Sequence, residues 1–258
     1  MEGIVGNTVV TGPNKGSVAK SLVMTATFVA AEELNDKRTF YECEGEGQRL
    51  SHPDRYGDAF EFIKLPNENA AEFDEGVHDW RTCFDPILRS IRLGTACSVD
   101  FGSGALAKFL AAARNTRIAE KTNGGATFGA AILVTAAPDV LESAFEAAAD
   151  VRKTFPNAKL FWVENALAGK FGDLHRAKYQ DKVDELNAEV LRLRHLPCPA
   201  WKFVQTRRMD ELAELTAKRL TEWVDEEEAE RSSLEIRKFV LHLIQNVGMP
   251  IAKWAMGQ

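Results

Sequence analysis

Apolar positions along this chain come in two rhythms. Short continuous apolar runs alternate with longer stretches in which apolar residues recur every three or four positions. The first is the pattern of strands covered on both faces, the second that of helices packed on one side. Ile4–Thr11 is apolar and β-branched and predicts a buried strand, and Val18–Leu34 follows with helical character and few breakers. Arg38–Cys43 (RTFYEC) predicts a second strand, which runs into the acidic, glycine-containing stretch Glu42–Gly47. Phe60–Leu65 predicts a third strand, Phe73–Leu93 a helix, Thr95–Val99 (TACSV) a strand ending at Asp100, and Ala105–Arg114 a helix. Ala126–Thr135 (ATFGAAILVT) has the pattern of a central strand, and Pro138–Phe155 that of an amphipathic helix. Lys159–Val163 (KLFWV) predicts a strand ending at Glu164 and Asn165. Asp173–Arg194 reads as a charged helical stretch, Ala200–Val204 as a last strand, and the chain from Met209 onward as helical.

Strand followed by helix, repeated, predicts an α/β fold: a doubly wound, mostly parallel sheet flanked by helices. The expected organisation is a single domain over residues 1–258, with 209–258 a C-terminal helical extension. Asp225–Arg231 (DEEEAER) reads as a solvated helix surface or loop rather than a binding tail. The terminal stretch SSLEIRKFVLHLIQNVGMPIAKW spaces Leu234, Phe239, Val240, Leu243, Ile244 and Val247 for one helix face. It carries few basic residues and is interrupted by Pro250, so packing on the domain or on a dimer partner is expected rather than membrane binding.

Composition narrows the class. Hydrophobic residues at 45% and charged residues at 27% are ordinary for a soluble globular protein. A net charge of −6 argues against a chain built as a whole to coat nucleic acid, though a local basic patch remains open. Cys43, Cys83, Cys97 and Cys198 form no C-x-x-C pair, which points to reduced thiols rather than a zinc site or disulfide framework. The five histidines form no ligand set, and no Ser-His-Asp or G-x-S-x-G arrangement suggests a hydrolase triad. The N-terminus MEGIVGNTVV lacks a basic region and cleavable core, so a cytoplasmic location is expected.

The candidate chemistry lies in Val9–Ser21, VVTGPNKGSVAKS, where an apolar strand runs into a glycine-bearing loop that ends in Lys-Ser at the head of a helix. A phosphate-binding loop needs converging backbone N–H groups, a helix N-terminus aimed at the anion, a lysine for phosphate charge, and a Ser or Thr hydroxyl for Mg²⁺. Lys20, Ser21 and the helix starting near them meet the last three needs, and Gly16 part of the first. The G-x-x-x-x-G-K-[ST] pattern is not matched strictly, because Asn14 and Ala19 stand at its two glycines. Alanine fits there if its backbone is helical but not if φ must be positive.

Lys15-Gly16-Ser17-Val18-Ala19-Lys20-Ser21 resembles the deviant Walker A loop, K-G-G-x-G-K-[ST], with Ser17 and Ala19 replacing two glycines. That loop marks the ParA/MinD group of dimerising P-loop ATPases, and the later region is similar to the plasmid-encoded TraL and StbB kind. The resemblance spans about Val9 to Asn165. It implies that ATP and Mg²⁺ are the cofactors, held by the loop residues Asn14 to Leu22, with Mg²⁺ on Ser21 and Asp100. Lys15 would reach across a homodimer to the partner's nucleotide. Glu42 and Glu44 would occupy the place of the group's Asp-x-Asp stretch, Asp100-Phe101-Gly102 that of its Walker B end, and Asn165 that of an adenine-reading asparagine. Gly102 would sense the γ-phosphate through its N–H. The implied catalytic set is Lys15, Lys20, Glu42 and Asp100.

Plainer roles stand beside these. Lys15 is also readable as a surface lysine, Asp100 as a helix cap, Glu42 and Glu44 as solvated loop acids, and Asn165 as a turn residue. The expected function is an ATP-dependent dimerising switch with weak hydrolysis. It would act with a protein partner, and with nonspecific DNA as an open possibility, in plasmid partition, conjugative transfer or positioning. The alternative is a degenerate, non-hydrolysing scaffold. A metabolic P-loop enzyme, such as a small-molecule kinase or a dethiobiotin-synthetase-like ligase, has no substrate motif to support it.

Overall fold

The computed structural model describes residues 6–12, 19–45, 59–65, 80–122, 127–167, 171 and 173–258. Seven strands form one sheet in the order β3-β2-β4-β1-β5-β6-β7. They are β1 (Thr8–Gly12), β2 (Thr39–Gly45), β3 (Phe60–Leu65), β4 (Cys97–Phe101), β5 (Phe128–Val134), β6 (Lys159–Asn165) and β7 (Glu189–Leu193). Every neighbouring pair is parallel. β1 lies between β4 and β5, so the chain leaves it in one direction and returns on the other side. That reversal opens a crevice at the carboxyl ends of β1 and β4. The α/β architecture expected from the strand–helix alternation is present, with a helical C-terminal end.

Helices cover both faces. On one face lie α2 (Trp80–Leu93), α3 (Ala105–Asn115), α4 (Pro138–Thr154) and α5 (Asp173–Glu185). Their core runs through aromatic rings, Phe84 against Phe101 and Phe109, Phe109 against Phe128, and Phe128 against Phe155 at 4.1 Å between centroids. On the other face lies α1 (Ala19–Glu33), followed late in the chain by α6 (Trp201–Val204), α7 (Met209–Ala213), α8 (Ala217–Leu220), α9 (Glu226–Leu243) and α10 (Met249–Ala255). The terminal helices pack over α1, which is buried between them and the sheet. A helix enclosed on both sides needs apolar residues all round. That is why Val18–Leu34 shows helical composition without a clean stripe.

Phe239, Val240, Leu243, Ile244 and Val247 are buried in this core, so the terminal amphipathic stretch packs on its own domain. Leu234 departs from the expected apolar face and is exposed. Pro250 does not end the helix either. A π-helical turn, Ile244–Gly248, widens the backbone just ahead of it, and α10 continues with Pro250 in its first turn. Asp225 caps α9, its carboxylate accepting from the Glu228 N–H at 2.9 Å.

Several element boundaries differ from those read in the sequence. β1 begins at Thr8 rather than Ile4; residues 1–5 lie outside the described residues, and Asn7 is held by the carbonyls of Trp254 and Ala255. β4 starts two residues late because Thr95 turns back onto the Ser90 carbonyl to close α2. β2 and β6 each run two residues further than expected, carrying Glu44, Glu164 and Asn165 inside the sheet. The charged stretch Asp173–Arg194 is not one helix. It ends at Glu185, turns at Asn187 (φ 48°), and forms edge strand β7. Charged side chains on an edge strand hide its alternation. Ala200–Val204 is a helical turn, not a strand, because Trp201, Phe203 and Gln205 donate to carbonyls three or four residues back.

Candidate functional site

β1 delivers Thr11 to the crevice, and α1 begins at Ala19 on the far side of the loop. Asn14, Lys15, Gly16, Ser17 and Val18 lie outside the described residues. Ala19 is the first residue of α1, and it is not among the described non-glycine residues with positive φ. The alanine in the glycine position thus meets the helical condition. Leu22 is buried in the core, which leaves only its backbone for a ligand.

Lys20 is 7% exposed, Asp100 5% and Glu42 3%. The parallel register sets Thr11, Asp100 and Glu42 side by side on neighbouring strands. Thr11 Oγ1 donates to Asp100 Oδ1 at 2.7 Å, which fixes that carboxylate toward β1. Thr11 belongs to the site and was not read from the sequence. The register Thr11↔Asp100 exists only once the two strands pair. Asp100 is the fourth residue of β4 and α3 carries no side-chain cap, so the cap role for Asp100 is excluded. Glu42 is a buried strand residue and not a solvated loop acid.

Burial drives the Lys20 ammonium below its ordinary pKa, and the nearby charges of Asp100 and Glu44 oppose that drop. Glu44, at the end of β2, is pushed up to about 7, first by burial, then by repulsion from Asp100, with Lys20 partly offsetting both. Its carboxylate packs against Gly102, where a Cβ would lie 2.6 Å from Glu44 Cδ. A side chain at 102 therefore displaces Glu44. The Gly102 N–H donates to the Cys43 carbonyl at 2.8 Å. Sensing a phosphate through that N–H would require this bond to be released.

Glu44 gives the fold a pH dependence with a definite sign. Between its ordinary 4.5 and about 7, the folded protein keeps a proton that the unfolded chain has released. This group's contribution to stability therefore declines as pH rises through that window. Urea unfolding near pH 5 and near pH 8 should show that decline in the wild type and a smaller one in Glu44→Gln. Equal declines in the two proteins would remove Glu44 as the source.

At the far side of the sheet, Asn165 closes β6 on the same face as Thr11, since Thr11, Ala131 and Phe161 share one row. Asn165 Oδ1 accepts from the Leu167 N–H at 2.9 Å, the side-chain turn expected of its plainer role. Its neighbour Glu164 is buried on the opposite face and accepts from Arg176, Arg192 and Tyr179. These bonds let an acid complete a buried strand.

Among the described residues, no group of three or more His, Cys, Asp or Glu side chains is placed to hold a metal ion unaided. If Ser21 and Asp100 were to hold Mg²⁺, as expected from the sequence, phosphate oxygens and water would have to complete the ligand set. No helix among the described residues is long and apolar enough to cross a membrane.

No protein-family model matches the chain. No curated protein matches it. Among solved structures, the chain is similar to the MinD cell division protein of Aquifex aeolicus, at 12% identity over 91% of this chain and 97% of that one, with a TM-score of 0.44. It is likewise similar to the MinC:MinD cell division protein complex of the same organism, at 14% identity over 91% of this chain and 96% of that one, with a TM-score of 0.44.

Proposed function

We propose that this chain is a ParA/MinD-like nucleotide-binding protein that binds ATP and Mg²⁺ in the crevice between β1 and β4. The observation that carries the reading is Lys20. A lysine ammonium buried in the first turn of a helix, at the reversal point of a parallel sheet and facing the acids Asp100 and Glu44, is costly to the fold. A phosphate-bearing ligand gives that cost a purpose.

In this reading Lys20 neutralises phosphate charge, and the backbone of residues 14–22 cradles it. Ser21 and Asp100 hold Mg²⁺, Thr11 keeps Asp100 oriented, and Asn165 reads the base. Bound ATP supplies a phosphoanhydride bond whose slow hydrolysis resets the protein. Phosphoryl transfer needs little beyond positioning and charge, so Lys20, Glu42, Asp100 and Lys15 from a second subunit suffice for weak turnover. The output is an ATP-dependent homodimer that engages a protein partner, and nonspecific DNA is a further candidate. Plasmid partition, conjugative transfer and positioning are the processes such a switch serves.

A non-hydrolysing scaffold is the second reading. The Gly102 N–H engaged by Cys43 and the replacement at Ser17 favour it.

Calorimetry with ATP and Mg²⁺ on the wild type and on Lys20→Ala tests the proposal. Saturable binding is expected in the wild type, weakened by about 100-fold in the variant, as for loss of a buried charged partner. Absence of binding by the wild type overturns it. Phosphate release followed over hours, with sedimentation with and without ATP, then separates the readings. Release and dimerisation mark the switch, and a nucleotide-independent dimer without release marks the scaffold.

A further inference from the structure

A second cleft, with a volume of about 680 Å³, runs along α2 from Thr82 to Leu93 and reaches the segments just after α3 and just before β4, at the opposite end of the sheet. That is within the range of small-molecule sites. Its lining carries Arg89, Arg92 and Lys121, against, among the described residues, the single carboxylate of Asp85. None of the three cations is engaged in an ion pair or side-chain hydrogen bond among the described residues. Three cations converge here on a protein whose net charge is −6. Arg92 sits in the last turn of α2, where it also faces the negative end of that helix, and the three cations outnumber the carboxylate of Asp85. Tyr41, a buried residue of β2, lines the cleft together with Ser90. The walls are mixed: Thr82, Thr95 and Thr116 are polar, and Leu88, Ile118 and above all the exposed Leu93 supply an apolar part.

We propose that this cleft binds a small organic phosphate, its phosphate on Arg89, Arg92 and Lys121 and its apolar body against Leu88, Leu93 and Ile118. A cationic rim beside the apolar surface of Leu93 favours a molecule that carries both a phosphate and an apolar part. Inorganic phosphate lacks the body and a neutral aromatic lacks the charge. The site is independent of Lys20, which stands at the other end of the sheet.

Phenyl phosphate is the probe, titrated into isotope-labelled full-length protein and followed by amide NMR shifts. Saturating shifts are expected at Ser90, Thr95 and Lys121. The triple variant Arg89→Gln/Arg92→Gln/Lys121→Gln should bind at least about tenfold more weakly, since charge-assisted hydrogen bonds to phosphate are lost. These exposed substitutions leave the fold intact. Lys20→Ala should bind phenyl phosphate as the wild type does while losing ATP, which keeps the two sites distinguishable. Shifts confined to the Lys20 end, equal binding by phenol, unchanged affinity in the triple variant, or no saturation would each overturn the proposal.

Discussion

Replacing Gly248 by alanine is expected to destabilise the fold by about 3 kcal/mol and to weaken ATP binding at a site it does not touch. Gly248 closes the π-helical turn where the terminal helices cross α1. A Cβ there would lie 2.3 Å from the Ala26 carbonyl oxygen and 3.0 Å from the Thr27 nitrogen. Both contacts are backbone, so no side chain can rotate away. Either α1 or the terminal helix must move, and overpacking that shifts backbone falls at the upper end of its usual cost. Ala26 lies six residues beyond Lys20 on the same helix. A shift of α1 therefore carries Lys20 and Ser21 away from Asp100. Denaturant unfolding and ATP calorimetry on Gly248→Ala check the two halves. A variant with wild-type stability would mean the helices do not pack this closely, and lost stability with unchanged binding would mean the crevice does not depend on the position of α1.

The second large effect lies at the other end of β2. Asp36 and Arg38 form an ion pair whose side chains are 1% and 0% exposed. Arg38 Nε donates to Asp36 Oδ2 at 2.7 Å, and Nη1 reaches Ser98 Oγ at 3.3 Å. Asp36→Ala leaves a guanidinium buried without its counter-charge, and about 3–5 kcal/mol of stability should be lost. Removing both charges in Asp36→Ala/Arg38→Met should recover most of it, because the desolvation cost disappears with the charge. Unfolding midpoints of the two variants decide this. A single variant within about 1 kcal/mol of wild type would show that Arg38 finds water or another acid.

The fold was legible wherever burial on both faces left continuous apolar runs. Phe128–Val134 is the example, since a strand covered by helices on both faces admits nothing polar. Legibility failed where polar residues are buried with partners distant in sequence. Glu164 sits inside β6 because Arg176, Arg192 and Tyr179 surround it, and nothing local to KLFWVEN announces them. β7 was hidden for the related reason that an edge strand carries charge.

For the site, the sequence by itself determined the types of group available: the strand–loop–helix course, Lys20 and Ser21 at the helix head, and Asp100 after an apolar run. Those are local properties of composition and order. Only the tertiary structure decided that Ala19 is helical, that Thr11 holds Asp100, that Glu44 is pressed against Gly102, and that the terminal helices bury α1. Each of these depends on the parallel pairing of strands far apart in the chain or on helix packing against them. Local sequence constrains φ and apolar spacing, whereas the register between Thr11 and Asp100, 89 residues apart, comes into being when the sheet closes.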